Sequence, residues 1–237
     1  MSIQSILKRL PGKIQKLFDA GKEAEWNEFW DEYQKNGRQN SWNYAFYGAY
    51  WNDKTFKPKY DITFQTGSNV YTDMFRMASF TDLKGILEKQ GVTLDTSGCS
   101  GTNALALFYG CTKLTRVPTL DVSNLSNGIS NTFYNCQALQ YVEKIILSEN
   151  GTKITANTFY KCSALEEIRF EGKIASNINF GDCESLSIDS VVSIIDALSD
   201  DTTDLTATIH ESYEANYFWD VCCNEMEKKP NWNFVWV

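Results

Sequence analysis

The 237-residue chain has a single histidine, His210, and no Cys-x-x-Cys motif. A Ser-His-Asp or Cys-His catalytic site would have to use His210, which lies on a segment of strand-like alternation with no catalytic motif around it. Cys222 and Cys223 are adjacent, whereas the cysteines of a tetrahedral zinc site are spaced along the chain. The segment Gly98–Gly101 lacks the Lys-Ser/Thr pair of a phosphate-binding loop, so it predicts a turn. We therefore expect no metal site and no cofactor.

Basic residues and long hydrophobic runs are also scarce. The chain has 22 Lys and Arg against 30 Asp and Glu, a net charge of −8. Proteins that bind nucleic-acid backbones neutralise phosphates with clustered basic residues, so this composition disfavours a nucleic-acid partner. No apolar run approaches the roughly 18 residues of a membrane span, and charged residues interrupt the apolar ones at the amino terminus. We expect no membrane span and no signal peptide, and hence a cytoplasmic or virion-associated location.

The chain does contain a short motif written four times. The motif F-x-x-C-x-x-L occupies Phe108–Leu114, Phe133–Leu139, Phe159–Leu165 and, more loosely, Phe180–Leu186. Val117, Val142 and Ile168 follow the first three copies at one further apolar position. The phenylalanines are 21 to 26 residues apart, a period typical of repeats that each form one supersecondary unit and stack on their neighbours.

The motif predicts a shared interior in which equivalent side chains meet at the interstrand spacing of about 5 Å. Phe fills the wide end of each coil, Cys fits where the chain turns tightly, and Leu with the following Val or Ile lies inward on a strand. We expect these strands to be parallel from one coil to the next. Four of the seven cysteines occupy this interior position, which predicts buried thiols acting as small hydrophobes.

These residues resemble the BspA-like, or Treponema-type, leucine-rich repeats. A weaker copy lies at Phe75–Ala78, where Ala replaces Cys, and Leu83–Val92 is similar to segments that accompany such repeats in gut bacteria and their phages. The resemblance implies an α/β leucine-rich-repeat solenoid that serves as a binding or attachment scaffold and not as an enzyme. The copies lack the usual Ile-Pro-x-x-Val run, so the resemblance does not identify the ligand surface.

Three parts are predicted: an N-terminal helical and aromatic cap over 1–59, the solenoid over 60–188 and a C-terminal α/β cap over 189–237. Residues 3–17 carry an apolar stripe at heptad spacing within a basic segment. The stripe fits a helix packed on its own protein, oligomerisation or attachment to a larger assembly, or a helix on a membrane surface. Aromatic residues over 26–33 predict a second helix, and those over 37–60 predict irregular turns that shield the first coil, with sugar binding as the alternative.

After the repeats, the pattern predicts a helix over 191–198, a strand over 205–209, a helix over about 212–227 and a strand over 232–236. Before them, residues 60–64 alternate like a strand and 83–87 predict a short helix. The two predicted C-terminal helices and strands would form the terminal cap.

One row of residues is a candidate binding site. Tyr109, Tyr134 and Tyr160 each follow the repeat Phe, so a stack of coils predicts a column of three phenol rings. An exposed column would offer a platform for a sugar, a peptide or a protein partner. The alternative is that the rings pack over neighbouring coils and expose only their hydroxyl groups.

The sequence thus predicts a non-enzymatic binding or structural scaffold, with protein or glycan recognition on a phage particle or bacterial cell. The alternative is a glycan-processing enzyme that uses surface carboxylates, because such pairs meet in space and not in sequence. Asp200 and Asp201 form one acidic pair, which we interpret as part of a solvated loop.

Overall fold

The computed structural model describes residues 52–54, 56–58, 61–64, 73–100, 105–213 and 218–237. The predictions for the apolar stripe over 3–17, for the helix over 26–33 and for most of the aromatic segment up to residue 60 lie outside these residues. In the described residues the elements are, in chain order, β1 (Ile62–Thr63), α1 (Leu83–Gln90), β2 (Leu94–Asp95), β3 (Arg116–Val117), β4 (Leu120–Asp121), β5 (Tyr141–Ile146), β6 (Glu167–Glu171), β7 (Ile178–Phe180), α2 (Ile188–Ala197), β8 (Leu205–Ile209), a 3₁₀ turn (Glu211–Tyr213), α3 (Phe218–Met226) and β9 (Trp232–Trp236).

The strands of successive repeats pair in parallel, as the motif predicts. In the sheet formed by β3, β5 and β6, Val117 is the partner of Val142 and Val142 is the partner of Ile168. The last apolar position of the motif is therefore in register across three coils. Strand β4 pairs with β5 in the same sheet, and single parallel bridges link Leu105, Ile129 and Ile154 on another side of the coils. Strands β7, β8 and β9 form a separate parallel sheet.

The phenylalanines of the motif form one continuous stack in the interior. The ring centroids of Phe75 and Phe108 are 5.5 Å apart, and the next distances along the stack, through Phe133, Phe159 and Phe180, are 5.7, 5.6 and 4.5 Å. All five rings are buried. The stack begins at Phe75, which confirms that the weaker copy packs with the repeats. The leucines of the four full copies are buried as well.

The repeat cysteines form a second buried column and also donate hydrogen bonds. The Cys136 thiol donates to the carbonyl of Phe108 at 3.2 Å, and the Cys162 thiol donates to the carbonyl of Phe133 at 3.1 Å. The Cys111 thiol reaches Phe75 in the same way. Each thiol therefore ties its own coil to the Phe of the coil before it, a role beyond the small hydrophobe that the sequence predicts. Burial raises the pKa of Cys111 and of Cys162 to about 12, so these thiols stay protonated.

The C-terminal elements follow the predicted order with shifted boundaries. The expected helix over 191–198 is present as α2, and the two strands are present as β8 and β9. The predicted helix over 212–227 is shorter, because a 3₁₀ turn occupies Glu211–Tyr213 and α3 begins at Phe218. Strand β7, which the sequence interpretation missed, ends on Phe180 and pairs with β8.

Helix α2 follows the fourth copy of the motif and lies beside β6. The first three copies are instead followed by strands. The hydroxyl of Ser190 accepts the Ile168 N–H at 3.0 Å, and the hydroxyl of Ser193 accepts the Phe170 N–H at 2.9 Å. These serines satisfy N–H groups of β6 that an additional strand would otherwise pair. None of the described helices has the length and apolar character needed to span a lipid bilayer.

Candidate binding surface

The three tyrosines that follow the repeat phenylalanines are stacked on one another. The ring centroids of Tyr109 and Tyr134 are 4.7 Å apart with the planes 5° from parallel. The centroids of Tyr134 and Tyr160 are 5.0 Å apart with the planes 32° apart. We call Tyr109, Tyr134 and Tyr160 the tyrosine row. The predicted column of rings is therefore present, and its role in binding stays a prediction.

Backbone hydrogen bonds between coils hold the row in register. The N–H of Gly110 donates to the carbonyl of Tyr134 at 2.7 Å, and the N–H of Asn135 donates to the carbonyl of Tyr160 at 2.7 Å. Gly110 and Asn135 have φ values of 72° and 60°, in the left-handed region that Gly and Asn adopt most readily. At Gly110 and Asn135 the chain thus turns, and the backbone N–H donates to the next coil. These hydrogen bonds fix the distance between neighbouring coils and therefore between their tyrosine rings.

A cation lies at each end of the tyrosine row. The guanidinium carbon of Arg76, which follows Phe75 as the tyrosines follow their own phenylalanines, is 4.1 Å from the centroid of the Tyr109 ring. The ammonium nitrogen of Lys161 is 5.3 Å from the centroid of the Tyr160 ring. Cations over an aromatic face are attracted by the ring quadrupole. Asp73 forms an ion pair with Arg76 at 3.1 Å, which holds the guanidinium in place.

The rings differ in what they expose. Tyr109 is half-buried between Arg76 and Tyr134, and Tyr134 is half-buried between Tyr109 and Tyr160. A flat ligand therefore cannot stack on either face of these two rings, and they offer only ring edges and hydroxyl groups. Tyr160 is the most open of the three, with 37% of its surface exposed. The two inner rings are therefore packed, and the last ring is the more exposed.

The solvent side of the sheet formed by β3, β5 and β6 carries charges that pair with one another. Lys84 on α1 forms an ion pair with Glu143 on β5 at 2.7 Å, and Lys144 pairs with Glu171 at 2.8 Å. The carboxylate of Glu143 raises the pKa of Lys84, and the hydrogen bond from Lys84 lowers the pKa of Glu143. A ligand on this side would have to break these pairs, which makes the tyrosine row the better candidate.

His210 and Asp200 serve local structure. The Nδ1 atom of His210 lies 2.9 Å from the hydroxyl of Ser212, just after β8. Asp200 forms an ion pair at 2.8 Å with Lys229, whose ammonium also donates to the carbonyl of Leu198, and the Lys229 hydrogen bond lowers the pKa of Asp200. Within the described ranges, no group of three or more His, Cys, Asp and Glu residues has the arrangement of a metal site.

The structure also brings together two carboxyl groups that the sequence interpretation missed. Asp196 on α2 and Glu225 on α3 share a side-chain hydrogen bond, and the pKa of Asp196 is raised, first by desolvation and then by the charge of Glu225. A glycosidase pair is separated by roughly 5 Å or more so that the scissile bond fits between its members. Carboxyl groups in hydrogen-bond contact are too close for that chemistry. Lys228 further holds Glu225 in an ion pair at 2.6 Å.

The stacked coils and their aligned interior side chains are those of a repeat protein. Residues 105–200 match the family model of the BspA type leucine rich repeat region, in six copies. The match supports this family for the repeat segment, and the family suggests a repeat solenoid with a binding or scaffold role and is typically non-enzymatic. Comparisons with curated proteins and with solved structures found no match.

Proposed function

We propose that this chain is a non-enzymatic scaffold that recognises a protein or glycan ligand through the tyrosine row, on a phage particle or bacterial cell. The observation that carries the proposal is the stacking of Tyr109, Tyr134 and Tyr160 at 4.7 and 5.0 Å on a partly exposed surface. Three aligned phenols offer hydroxyl groups and ring edges at a fixed repeat. A ligand with a regular spacing of acceptors could contact all three at once.

The row is suited to binding because its geometry exists before a ligand arrives. Stacking and inter-coil hydrogen bonds already restrict the rings, so little side-chain entropy remains to be lost on association. Tyr also contributes a large contact area with few rotatable bonds. Arg76 and Lys161 add positive charge at the two ends of the row in a chain with a net charge of −8. Asp73 pairs with Arg76 and Asp182 lies beside Lys161, so the ends of the row offer N–H donors without a net positive charge. These donors favour ligands with acceptor groups along that edge.

We further propose that the coils form one solenoid, with 1–59 and 189–237 as its caps and with residues 3–17 available for oligomerisation. Two contacts support the cap assignments. Ser190 and Ser193 of α2 occupy N–H groups of β6, and Phe56 packs against Phe75 at the start of the interior stack, with ring centroids 5.9 Å apart. Light scattering with and without residues 1–18 tests the oligomerisation, and an unchanged mass would exclude it.

The binding proposal is tested with a triple variant, Tyr109→Ala, Tyr134→Ala and Tyr160→Ala. Fluorescently labelled protein is titrated onto bacterial cells and onto purified envelope polysaccharides and surface proteins. The triple variant should lose binding, while Tyr141→Ala, which removes a partly buried tyrosine from β5, should retain it. Equal binding by the triple variant and the unmodified protein would overturn the proposal.

A second triple variant serves as a control for loss of the fold. Replacing the same three residues by Phe keeps the stacked rings and removes only the hydroxyl groups. Circular dichroism should show an unchanged fold for this variant. If hydroxyl groups contribute, its affinity should fall by a smaller factor than that of the Ala variant. Undiminished binding would limit the proposal to ring contacts.

A further inference from the structure

The row of ring positions ends on a glycine. Counting the residue after each repeat Phe, the row runs Arg76, Tyr109, Tyr134, Tyr160 and Gly181. Gly181 has no side chain to stack on Tyr160, and among the described residues only Tyr134 stacks on that ring. Among the described residues, no other ring covers the face of Tyr160 turned away from Tyr134, whereas the guanidinium of Arg76 lies over the outer face of Tyr109. Its exposure of 37% agrees with this.

The surroundings of Gly181 leave little space for a side chain at this position. A Cβ atom at Gly181 would lie 2.4 Å from Cγ2 of Val237, so a fourth ring could not follow Tyr160 without displacing Val237. Val237 is itself 52% exposed. The open face of Tyr160 and the exposed side chain of Val237 thus border the gap that Gly181 leaves in the row. We call this part of the surface the step.

Polar groups of both signs lie at this step. The ammonium of Lys161 is 5.3 Å from the Tyr160 centroid, and the backbone N–H of Lys161 donates to Oδ2 of Asp182 at 3.0 Å. Asn179 accepts the Gly181 N–H through Oδ1 at 2.7 Å, which leaves its amide NH₂ group for other partners. An ammonium, a carboxylate and an amide therefore lie beside Tyr160 and Gly181, and the two opposite charges offset each other.

We infer that this step, formed by Tyr160, Lys161, Asn179, Gly181, Asp182 and Val237, is a subsite for one neutral hexopyranose unit of a glycan. A pyranose ring has an apolar C–H face that packs on an aromatic ring, and hydroxyl groups around its edge that need donors and acceptors. Binding sites of this kind combine an apolar surface with a few placed polar groups. The inference deepens the proposed function and rests on it, since the same row supplies the aromatic face.

The probes are the methyl β-glycosides of glucose, galactose, N-acetylglucosamine and glucuronic acid, tested by saturation-transfer difference NMR on the full chain. At least one neutral glycoside should receive saturation on the C–H protons of one face. Tyr160→Ala should reduce that transfer about fivefold or more, as expected for the loss of one ring contact. Asp182→Asn should reduce it as well, because the amide replaces one hydroxyl acceptor by a donor.

Tyr141→Ala is the matched control and should leave the transfer unchanged. Absence of transfer to every neutral glycoside, or equal transfer with Tyr160→Ala, would overturn the subsite. Stronger transfer to the glucuronide than to the glucoside would overturn its assignment to a neutral sugar. If cells or surface proteins bind through the tyrosine row while the neutral glycosides do not, the subsite fails and the proposed function stands. If the triple variant retains binding in both experiments, both proposals fail.

Discussion

Replacing Phe159 by Ala would remove a ring that lies between two others in the interior stack. The ring is 1% exposed and lies between Phe133 at 5.6 Å and Phe180 at 4.5 Å, with the edge of Phe170 at 6.5 Å. A buried Phe→Ala change costs about 3–5 kcal/mol through lost burial and the cavity it leaves. Each aromatic pair adds roughly 0.5–1.5 kcal/mol beyond area burial, so three lost pairs place Phe159→Ala near the upper end of that range.

The consequence should be large because coils contact only their neighbours. Loss of this ring weakens the contacts of the third repeat with both adjoining repeats, and total domain stabilities are only about 5–15 kcal/mol. Urea unfolding followed by circular dichroism should show a much lower midpoint with a similar slope. Tyr141→Ala serves as the control, since that side chain is only partly buried. A loss below about 1 kcal/mol for Phe159→Ala, or one equal to the control, would refute the continuous interior.

Three other perturbations test separate features of the structure. Iodoacetamide labelling of the native protein, read by mass spectrometry, should modify Cys223, which is partly exposed, and spare the buried repeat cysteines; labelling of Cys136 at the same rate would contradict its burial. Met77 is 46% exposed and has a φ of 56°, so Met77→Gly should raise the free energy of unfolding by up to about 1 kcal/mol, and a clear loss in urea would contradict the assigned strain. The lowered pKa of Glu143 means that its ion pair with Lys84 stabilises the fold above the unfolded-state pKa of about 4.3 and is lost as the pH falls through the folded-state value. Urea midpoints between pH 7 and pH 3 should therefore fall less steeply for Glu143→Gln than for the unmodified protein, and identical slopes would exclude this contribution.

The interior was predictable because its side chains recur at the same offsets within each copy of the motif. Phe, Cys and Leu at fixed offsets can meet their equivalents only if the coils stack in register, and Val117, Val142 and Ile168 are indeed partners in neighbouring strands. The thiol hydrogen bonds were not predictable, because a motif identifies which positions are buried but not which carbonyl lies within reach. Strand β7 was missed for a related reason. Three residues with Asn179 at their centre show little alternation of their own, and β7 exists because β8 pairs with it.

The candidate site, like the interior, could be predicted only in part. The order of the ring positions follows from the repeat, so the stacking of Tyr109 on Tyr134 could be predicted. Which faces stay open could not, because that depends on Arg76 at one end of the row and on Gly181 at the other. The sequence does contain the signal, since Gly stands where a fourth tyrosine would follow Phe180. Its meaning becomes clear only when Val237, more than fifty residues later, is found beside it.

The loosest copy of the motif is informative for the same reason. After Leu186 the chain does not form a further strand but enters α2, which begins at Ile188 with Ser187 as its N-cap. Ser187, Ser190 and Ser193 recur every three residues, so they lie along one side of a helix whose buried residues are mostly apolar. Polar groups on such a face require partners, and here the N–H groups of β6 supply them for Ser190 and Ser193. An unpaired strand edge invites association with other chains, so a helix with correctly spaced hydroxyl groups ends the row of strands without leaving that edge open. A motif search aimed at strands cannot find this device, because the serines acquire their role only from the strand beside them.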